Sequence, residues 1–259
     1  MIYDMHVHTE FSSDCITDIE QQFIKAKSLG LNKVAFTDHI DFEVPYLGYQ
    51  DRNYDVEAMS IRLKELSTKY DIQSIQGVEF GYRKSYEKRL AQFIKDHHFG
   101  VILASIHHSQ DLSYSRMKEH KDEREGALEY LNQLYDLVSS NLDVDIITHT
   151  DFYFRYLDNQ DLFYEYQKEY SSILKKIISN DYILEFNTAA LSYFGDFRFY
   201  EFILKLYKEL GGSNISLGSD SHILSTYRKD FDQAKELLKK CGFDEVVLID
   251  NRQRKKERI

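Results

Sequence analysis

Histidines and carboxylates recur at the ends of short apolar runs along this chain. Imidazole nitrogens and carboxylate oxygens are the ligands that divalent zinc, manganese and iron take in proteins. A single histidine at such a position is most often structural, whereas repetition after several separate runs favours a metal site. The residues concerned are His6, His8, Asp38, His39, Glu79, His107, His108, His149, Asp220 and His222.

The spacing of these residues predicts that they share one face of the fold. In a strand, residues two positions apart point the same way, so His6 and His8 can both face an interior. The other groups also follow their apolar runs, at the carboxyl end. That end of the strands is where β/α barrels build their active sites. We therefore predict that the side chains converge at one end of a barrel.

The elements that would position these residues alternate in type. Short apolar runs predict strands at Ile2–Val7, Lys33–Thr37, Ile72–Glu79, Val101–Ile106, Val144–Thr148, Tyr182–Phe186 and Asn214–Leu217. Amphipathic stretches predict helices at Asp18–Leu29, Val56–Lys69, Tyr86–His97, Glu123–Ser139, Leu162–Ile178, Arg198–Leu210 and Asp230–Lys240. A last apolar run, Val246–Ile249, closes the order. This alternation indicates an α/β fold with parallel strands joined by crossover helices.

Seven strand–helix units permit a barrel or an open doubly wound sheet. No Gly-x-Gly-x-x-Gly follows the first run, which disfavours an open sheet that binds a dinucleotide. The chain has 259 residues with one Pro and 11 Gly, and no shift in composition divides it. The prediction is a distorted (β/α)7 barrel that forms a single domain over residues 1–259.

The balance of charge argues against general binding to nucleic acid. The 43 acidic and 33 basic residues give a net charge of -10 with neutral histidines, which disfavours contact with a phosphate backbone. Two cysteines do not make a disulfide framework. No secretory signal or membrane span is evident, so we expect a cytoplasmic protein with no membrane partner. The basic tail from Arg252 to Arg258 is expected to be a frayed, solvated terminus, and binding of an anionic partner is the alternative.

Six motifs in this order resemble the polymerase and histidinol phosphatase (PHP) family. They are DMHVHTEFSSD, FTDH, GVEFG, ASIHH, THTD and GSDSH, and they extend from residue 4 to residue 222. Their joint occurrence is specific for the family. The resemblance implies a distorted (β/α)7 barrel that carries three divalent metal ions, drawn from zinc, manganese and iron.

The resemblance also implies three groups of metal ligands. They are His6, His8, Glu79 and Asp220 for one ion, Glu79, His107 and His149 for a second, and Asp14, His39 and His222 for a third. Some relatives have histidine at the position of Asp14. A carboxylate there adds negative charge, which leaves the identity of the metals open.

Within the family, FTDHIDF, ASIHHS and THTDFYFRY are most similar to the stand-alone histidinol phosphatases. This similarity implies hydrolysis of L-histidinol phosphate to L-histidinol and inorganic phosphate. Asp220 is the candidate to accept or relay a proton, and a role as ligand alone is the alternative. Arg155 and Arg198 are candidates to bind the phosphate through paired hydrogen bonds, and surface ion pairs are the alternative.

Several residues and functions remain as alternatives. Asp41, Phe42, Tyr153 and Tyr193 are candidates to contact the amine and imidazole of the substrate, and His108 is a further one. His97, His98 and His120 are expected to be ordinary surface residues. The rival functions are a nuclease or nucleotide phosphoesterase on the same metal centre, and a non-catalytic metal-bound module that serves a protein partner.

Overall fold

Eight strands form one sheet in the computed structural model of the chain, which describes residues 1–259. They are β1 (Lys33–Phe36), β2 (His39–Val44), β3 (Gln50–Arg52), β4 (Gln73–Gly81), β5 (Val101–Ser105), β6 (Ile146–Ile147), β7 (Ile183–Asn187) and β8 (Ile215–Gly218). The order across the sheet is β3-β2-β4-β5-β6-β7-β8, with β1 also beside β4. Every pair is parallel except β2–β3. The predicted α/β class and parallel sheet are therefore confirmed.

Eight α-helices lie between and after the strands. They are α1 (Ile19–Ser28), α2 (Val56–Tyr70), α3 (Glu87–Asp96), α4 (Glu123–Ser139), α5 (Gln167–Ser179), α6 (Ala190–Phe194), α7 (Arg198–Glu209) and α8 (Phe231–Lys240). Asp18, Asp55 and Asp122 begin α1, α2 and α4, because their carboxylates accept hydrogen bonds from backbone N–H groups of the first turn. None of these helices combines the length and apolar character needed to cross a bilayer.

The predicted first strand at Ile2–Val7 is not a regular strand. Its residues lie extended between β8 and β1, but the only ladder contact is an isolated parallel bridge between Val7 and Ser221. The Asp4 carboxylate accepts the backbone N–H groups of His6, Ser219 and Arg228, at 3.2, 2.9 and 3.1 Å. Since a side chain takes up these donors, the regular ladder is interrupted where the barrel closes.

Single hydrogen bonds complete that closure. The N–H of Asp220 donates to the carbonyl oxygen of His6 at 2.9 Å, and the N–H of Thr37 donates to that of Val7 at 2.8 Å. The segment thus takes the seventh position of the barrel, between the last parallel strand and the first. The prediction of a distorted (β/α)7 barrel is correct, and the distortion lies at this seam.

The C-terminal residues form a two-stranded antiparallel sheet of β9 (Glu245–Asp250) and β10 (Gln253–Arg258). The expectation of a frayed basic tail was wrong. Asn251 and Arg252 both have positive φ, 49° and 66°, as a tight two-residue hairpin turn requires. Arg254 also pairs with Asp181, with 2.7 Å between the guanidinium and a carboxylate oxygen. The paired backbone therefore orders the tail while its side chains stay exposed.

Buried aromatic residues fill the space between the sheet and the helices. Tyr130 on α4 and Tyr170 on α5 are both fully buried. Their hydroxyl groups donate to the carbonyl oxygens of His149 and Thr150, at 3.2 and 2.9 Å. The aromatic core therefore holds the backbone that follows β6, where one of the predicted metal ligands lies.

Candidate metal centre

The first predicted ligand group meets at the closing seam of the barrel. His6 Nε2 lies 3.1 Å from His8 Nε2 and 3.2 Å from Glu79 Oε2. His8 Nε2 lies 3.3 Å from Asp220 Oδ1. Ligand atoms arranged as a tetrahedron about 2.0–2.1 Å from one ion are about 3.3 Å apart. The observed spacing therefore fits a divalent cation.

The second group uses the other oxygen of Glu79. Glu79 Oε1 lies 2.8 Å from His149 Nε2 and 3.3 Å from His107 Nε2. His107 follows β5, which pairs with β4, and His149 follows β6, which pairs with β5. One carboxylate thus faces two sets of imidazoles, an arrangement that permits it to bridge two cations.

The third group lies on the outer side of His8. Asp14 Oδ2 is 3.3 Å from His222 Nε2 and 3.7 Å from His39 Nε2. The ring of His8 stacks on the ring of His39 and on that of His222, with centroids 4.2 and 4.1 Å away. Asp14 Oδ2 also contacts the guanidinium of Arg52, a residue that the sequence analysis did not single out.

The buried atoms of this cluster fit metal ions better than they fit one another. Glu79 is fully buried, and its Oε2 has no hydrogen-bond partner although three imidazoles surround it. A buried carboxylate oxygen without a partner is costly. A cation among these lone pairs would satisfy the oxygen and the nitrogens together, so the donor set fits divalent metal.

Acidic residues behind the cluster orient its imidazoles. Glu185 Oε1 lies 2.6 Å from His6 Nδ1, and Glu185 Oε2 accepts the backbone N–H of His149 at 2.9 Å. Asp41 Oδ1 lies 3.1 Å from His107 Nδ1. Carboxylates in this position fix the tautomer of a metal-binding histidine. Glu185 was not among the predicted site residues, although a glutamate within the apolar strand β7 is a signal for a buried functional acid.

The charges of the neighbouring groups oppose the effect of burial on the pKa values. Burial would lower the pKa of His107, but Glu79 and Asp41 raise it to about 10. Burial would likewise lower the pKa of His222, but Asp14 and Asp220 raise it to about 9. Burial would raise the pKa of Glu79, but the surrounding histidines hold it well below its usual range. Without a bound cation, therefore, the carboxylates are ionised and some imidazoles carry protons.

Asp220 has an unusual backbone conformation at this site. Its φ is 54°, in the left-handed region that aspartate tolerates better than most residues. Its Oδ1 faces His6 and His8, whereas its Oδ2 lies 3.4 Å from Asn187 Nδ2 and 3.7 Å from Arg155. The two oxygens of one carboxylate therefore face different partners.

A cavity of about 840 Å³ opens beside the cluster. Polar and aromatic side chains make up much of its wall. Beyond the predicted ligands these include Tyr46, His108, Ser113, Arg116, Phe152, Arg155, Tyr156, Ser192, Tyr193 and Lys229. The cavity is large enough for a small organic phosphate.

The two predicted phosphate-binding arginines lie in different surroundings. Arg155 is buried, lines the cavity and donates two hydrogen bonds to Asp151, at 2.7 and 3.0 Å. Arg198 is not part of the cavity wall. It begins α7 at the surface and pairs with Asp161 at 2.6 Å and with Asp196 at 3.2 Å. Arg198 thus lies in a surface ion pair with two exposed carboxylates, which is the alternative to phosphate binding for this residue.

The weaker candidates also separate. Tyr193 and His108 line the cavity, and both ring nitrogens of His108 lack a partner in the protein. Asp41 is buried behind His107. The candidates Phe42 and Tyr153 lie outside the cavity wall, and so do His97, His98 and His120, which were expected to be ordinary surface residues.

The chain is similar to proteins of a known family. Residues 4–189 match the PHP domain family. The chain is 29% identical to a histidinol-phosphatase of Lactococcus lactis subsp. lactis over 250 residues, which is 94% of this chain and 93% of that protein.

Two solved structures superpose on the chain. A crystal structure of histidinol phosphate phosphatase from Lactococcus lactis subsp. lactis, complexed with zinc, L-histidinol and phosphate, gives a TM-score of 0.89 at 27% identity and covers 98% of each chain. A structure from Listeria monocytogenes gives a TM-score of 0.77 at 20% identity, over 89% of this chain and 99% of that one, and supports the fold alone.

Proposed function

Because the chain belongs to the PHP domain family, we propose that it is a metal-dependent phosphatase that hydrolyses L-histidinol phosphate to L-histidinol and inorganic phosphate. The observation that carries this proposal is the meeting of three ligand groups, from segments more than two hundred residues apart, beside a cavity with a buried arginine. The similarity to a histidinol-phosphatase over nearly the full length of both chains supports the choice of substrate.

The cluster would hold three divalent cations, of which zinc is the one present in the similar structure. The three groups are those already described, with Glu79 facing two of them. Bound there, the cations would lower the pKa of water and neutralise charge on a phosphoryl group. Manganese and iron accept the same ligand types and remain open alternatives.

Arg155 is the residue we assign to the phosphate. Its Nε and one terminal nitrogen are held by Asp151, while the other terminal nitrogen points toward Asp220 Oδ2 at 3.7 Å. That nitrogen retains donors for a phosphoryl oxygen. Since Asp151 and Asn187 fix the guanidinium before the substrate arrives, little reorganisation accompanies binding.

Asp220 is the residue we assign to proton transfer. Its Oδ1 faces the ligand histidines, whereas its Oδ2 lies near Arg155 and is the oxygen that we assign to accept a proton from the attacking water. The water oxygen would bond to phosphorus as the ester P–O bond breaks, and the departing alkoxide would take up a proton. The organic part of the substrate would then lie against the rings of Tyr156 and Tyr193, whose centroids are 5.4 Å apart.

Steady-state kinetics on L-histidinol phosphate test the proposed activity. The panel should include other phosphate monoesters, nucleotides and single-stranded DNA, each with zinc-loaded and chelator-treated protein. We expect the highest kcat/KM for L-histidinol phosphate and its loss on chelation. A preference for nucleotides or DNA would support the rival phosphoesterase function, and inactivity on every ester would support a non-catalytic role.

Asp220→Asn separates the two roles of that side chain. Metal content and turnover should be measured on the same sample. Full metal occupancy with strongly reduced turnover is expected if Oδ2 accepts a proton. Full occupancy with normal turnover would rule out proton transfer.

A further inference from the structure

Arg52 joins two carboxylates of the metal centre. It ends β3 and pairs in register with Asp41 of β2, so that the antiparallel hairpin directs it toward the ligands. Its side chain is 7% exposed. One terminal nitrogen contacts Asp14 Oδ2, the other lies 3.5 Å from Asp41 Oδ2, and Nε donates to Ser13 Oγ at 3.1 Å. The guanidinium is thus fixed beside the third ligand group.

The position of Arg52 differs from that of Arg155 in one decisive respect. Arg155 lies near Asp220 Oδ2, the oxygen turned away from His6 and His8. Arg52 instead contacts Asp14 Oδ2, the same oxygen that faces His39 and His222. A cation in the third group would therefore share the Asp14 oxygen that faces His39 and His222 with a fixed positive charge.

In the first two groups, no arginine contacts the carboxylate oxygens that face the histidines. Glu79, their shared carboxylate, has only histidines within ion-pair distance. In the third group, the charge of Asp14 is offset by Arg52 before any cation binds. Because Arg52 is nearly buried beside Asp14 and like charges at short range repel, the third group should attract a divalent ion less than the other two.

We propose that Arg52 keeps the third ion site weak, so that the protein holds two cations tightly and a third in ready exchange. The inference rests on the proposed three-ion centre and concerns affinity rather than turnover. The opposing effect is orientation of the ligand, because a partner that orients a ligand strengthens metal binding by about 10–100-fold. The measured direction of the change decides between the two effects.

The test is a zinc titration of the whole chain against a chromophoric chelator, with bound zinc counted by elemental analysis. Three variants accompany the unaltered protein. Arg52→Gln removes the charge, Arg52→Lys keeps a positive charge without the planar fork, and Asp14→Asn removes the carboxylate. Arg62→Gln, which removes a surface arginine paired with Glu20 and Glu65, is the matched control.

We expect two tight zinc ions and one weaker ion in the unaltered protein. Arg52→Gln should tighten the weak ion about tenfold or more, Arg52→Lys should leave it weak, and Asp14→Asn should abolish it alone. Arg62→Gln should change nothing. If Arg52→Gln fails to fold, Asp14→Asn still decides whether the weak ion belongs to this group.

Unchanged or weaker binding of the third zinc in Arg52→Gln would overturn the inference. So would equal tightening in Arg52→Lys, or loss of a tight ion in Asp14→Asn. The titration contains no substrate, so failure of the proposed histidinol phosphatase activity would leave its result intact.

Discussion

Charge is concentrated in two regions of this protein, the metal cluster and the C-terminal hairpin. The cluster gathers histidines and carboxylates from six of the seven barrel positions, and most of them are buried. The hairpin carries a run of basic side chains on β10 that are largely exposed. The cluster side chains face one another, whereas those of the hairpin pair with scattered surface acids such as Asp181 and Glu245. Convergence and burial, rather than the density of charge, mark the functional region.

Glu79→Gln should give the largest effect of any single change in the cluster. It removes charge from the carboxylate that faces two ligand groups, and losing a partner in a buried charge network costs about 3–5 kcal/mol. We expect kcat/KM to fall at least about 10³-fold, together with zinc content. Glu257→Gln in the hairpin is the control, with normal activity expected. Equal losses of kcat/KM and zinc content in the two variants would mean that the cluster is no more important for activity than the hairpin.

Arg155→Lys should lower kcat/KM about 10²-fold, because a lysine lacks the fork that reaches Asp151 and the phosphate together. Arg198→Lys should leave kcat/KM unchanged, since Arg198 lies in a surface ion pair. Kinetics on both variants measure the difference. Equal losses of kcat/KM in the two variants would mean that Arg198 also contributes to phosphate binding.

Glu185→Gln should weaken zinc binding about 10–100-fold without removing a metal ligand. Its Oε1 holds His6 Nδ1, and a neutral amide orients that ring less firmly. Competition with a chelator gives the affinity, and circular dichroism checks the fold. Unaltered affinity would show that the acids behind the cluster are only structural.

Zinc affinity should rise as pH increases toward about 9. The pKa of His107 is raised to about 10 and that of His222 to about 9, so both imidazoles are protonated at neutral pH without a cation. Each must lose its proton to bind zinc, and affinity gains about tenfold per pH unit for each proton displaced. Calorimetry in buffers of different ionisation enthalpy counts the protons released. Binding without proton release would contradict the assigned charges.

Lys256→Ala should give the smallest effect. Lys256 is exposed on β10 and lies 3.9 Å from Glu245, a distance at which a surface pair contributes little. We expect the free energy of unfolding to change by less than about 0.5 kcal/mol, measured by urea denaturation. A larger loss would mean that the hairpin contributes more to stability than its exposure suggests.

The order of strands and helices along the chain could be predicted because buried positions are apolar, and their spacing differs between strands and helices. The carboxyl-end positions of His39, Glu79, His107 and His149 followed from that order. The broken first strand could not be predicted, since it depends on the Asp4 carboxylate reaching Ser219 and Arg228 across the closing seam.

The ion-pair partners of individual arginines depend on tertiary contacts, so they could not be predicted from the sequence either. Arg155 and Arg198 look equivalent in sequence, yet only one meets a buried aspartate. Arg52 emerged only because the unpredicted β2–β3 hairpin brings it to Asp14. The C-terminal tail is ordered because β10 pairs with β9, and its basic composition gave no sign of this pairing.

A crystal soaked in zinc and inorganic phosphate, with anomalous diffraction recorded at the zinc edge, tests most directly whether the buried cluster holds cations. We predict anomalous peaks among His6, His8, Glu79 and Asp220 and among Glu79, His107 and His149, a weaker peak beside Asp14, and phosphate within reach of Arg155. Anomalous maps without peaks in the cluster, with His6, Glu79 and His149 pointing apart, would contradict the metal centre and the function proposed for it.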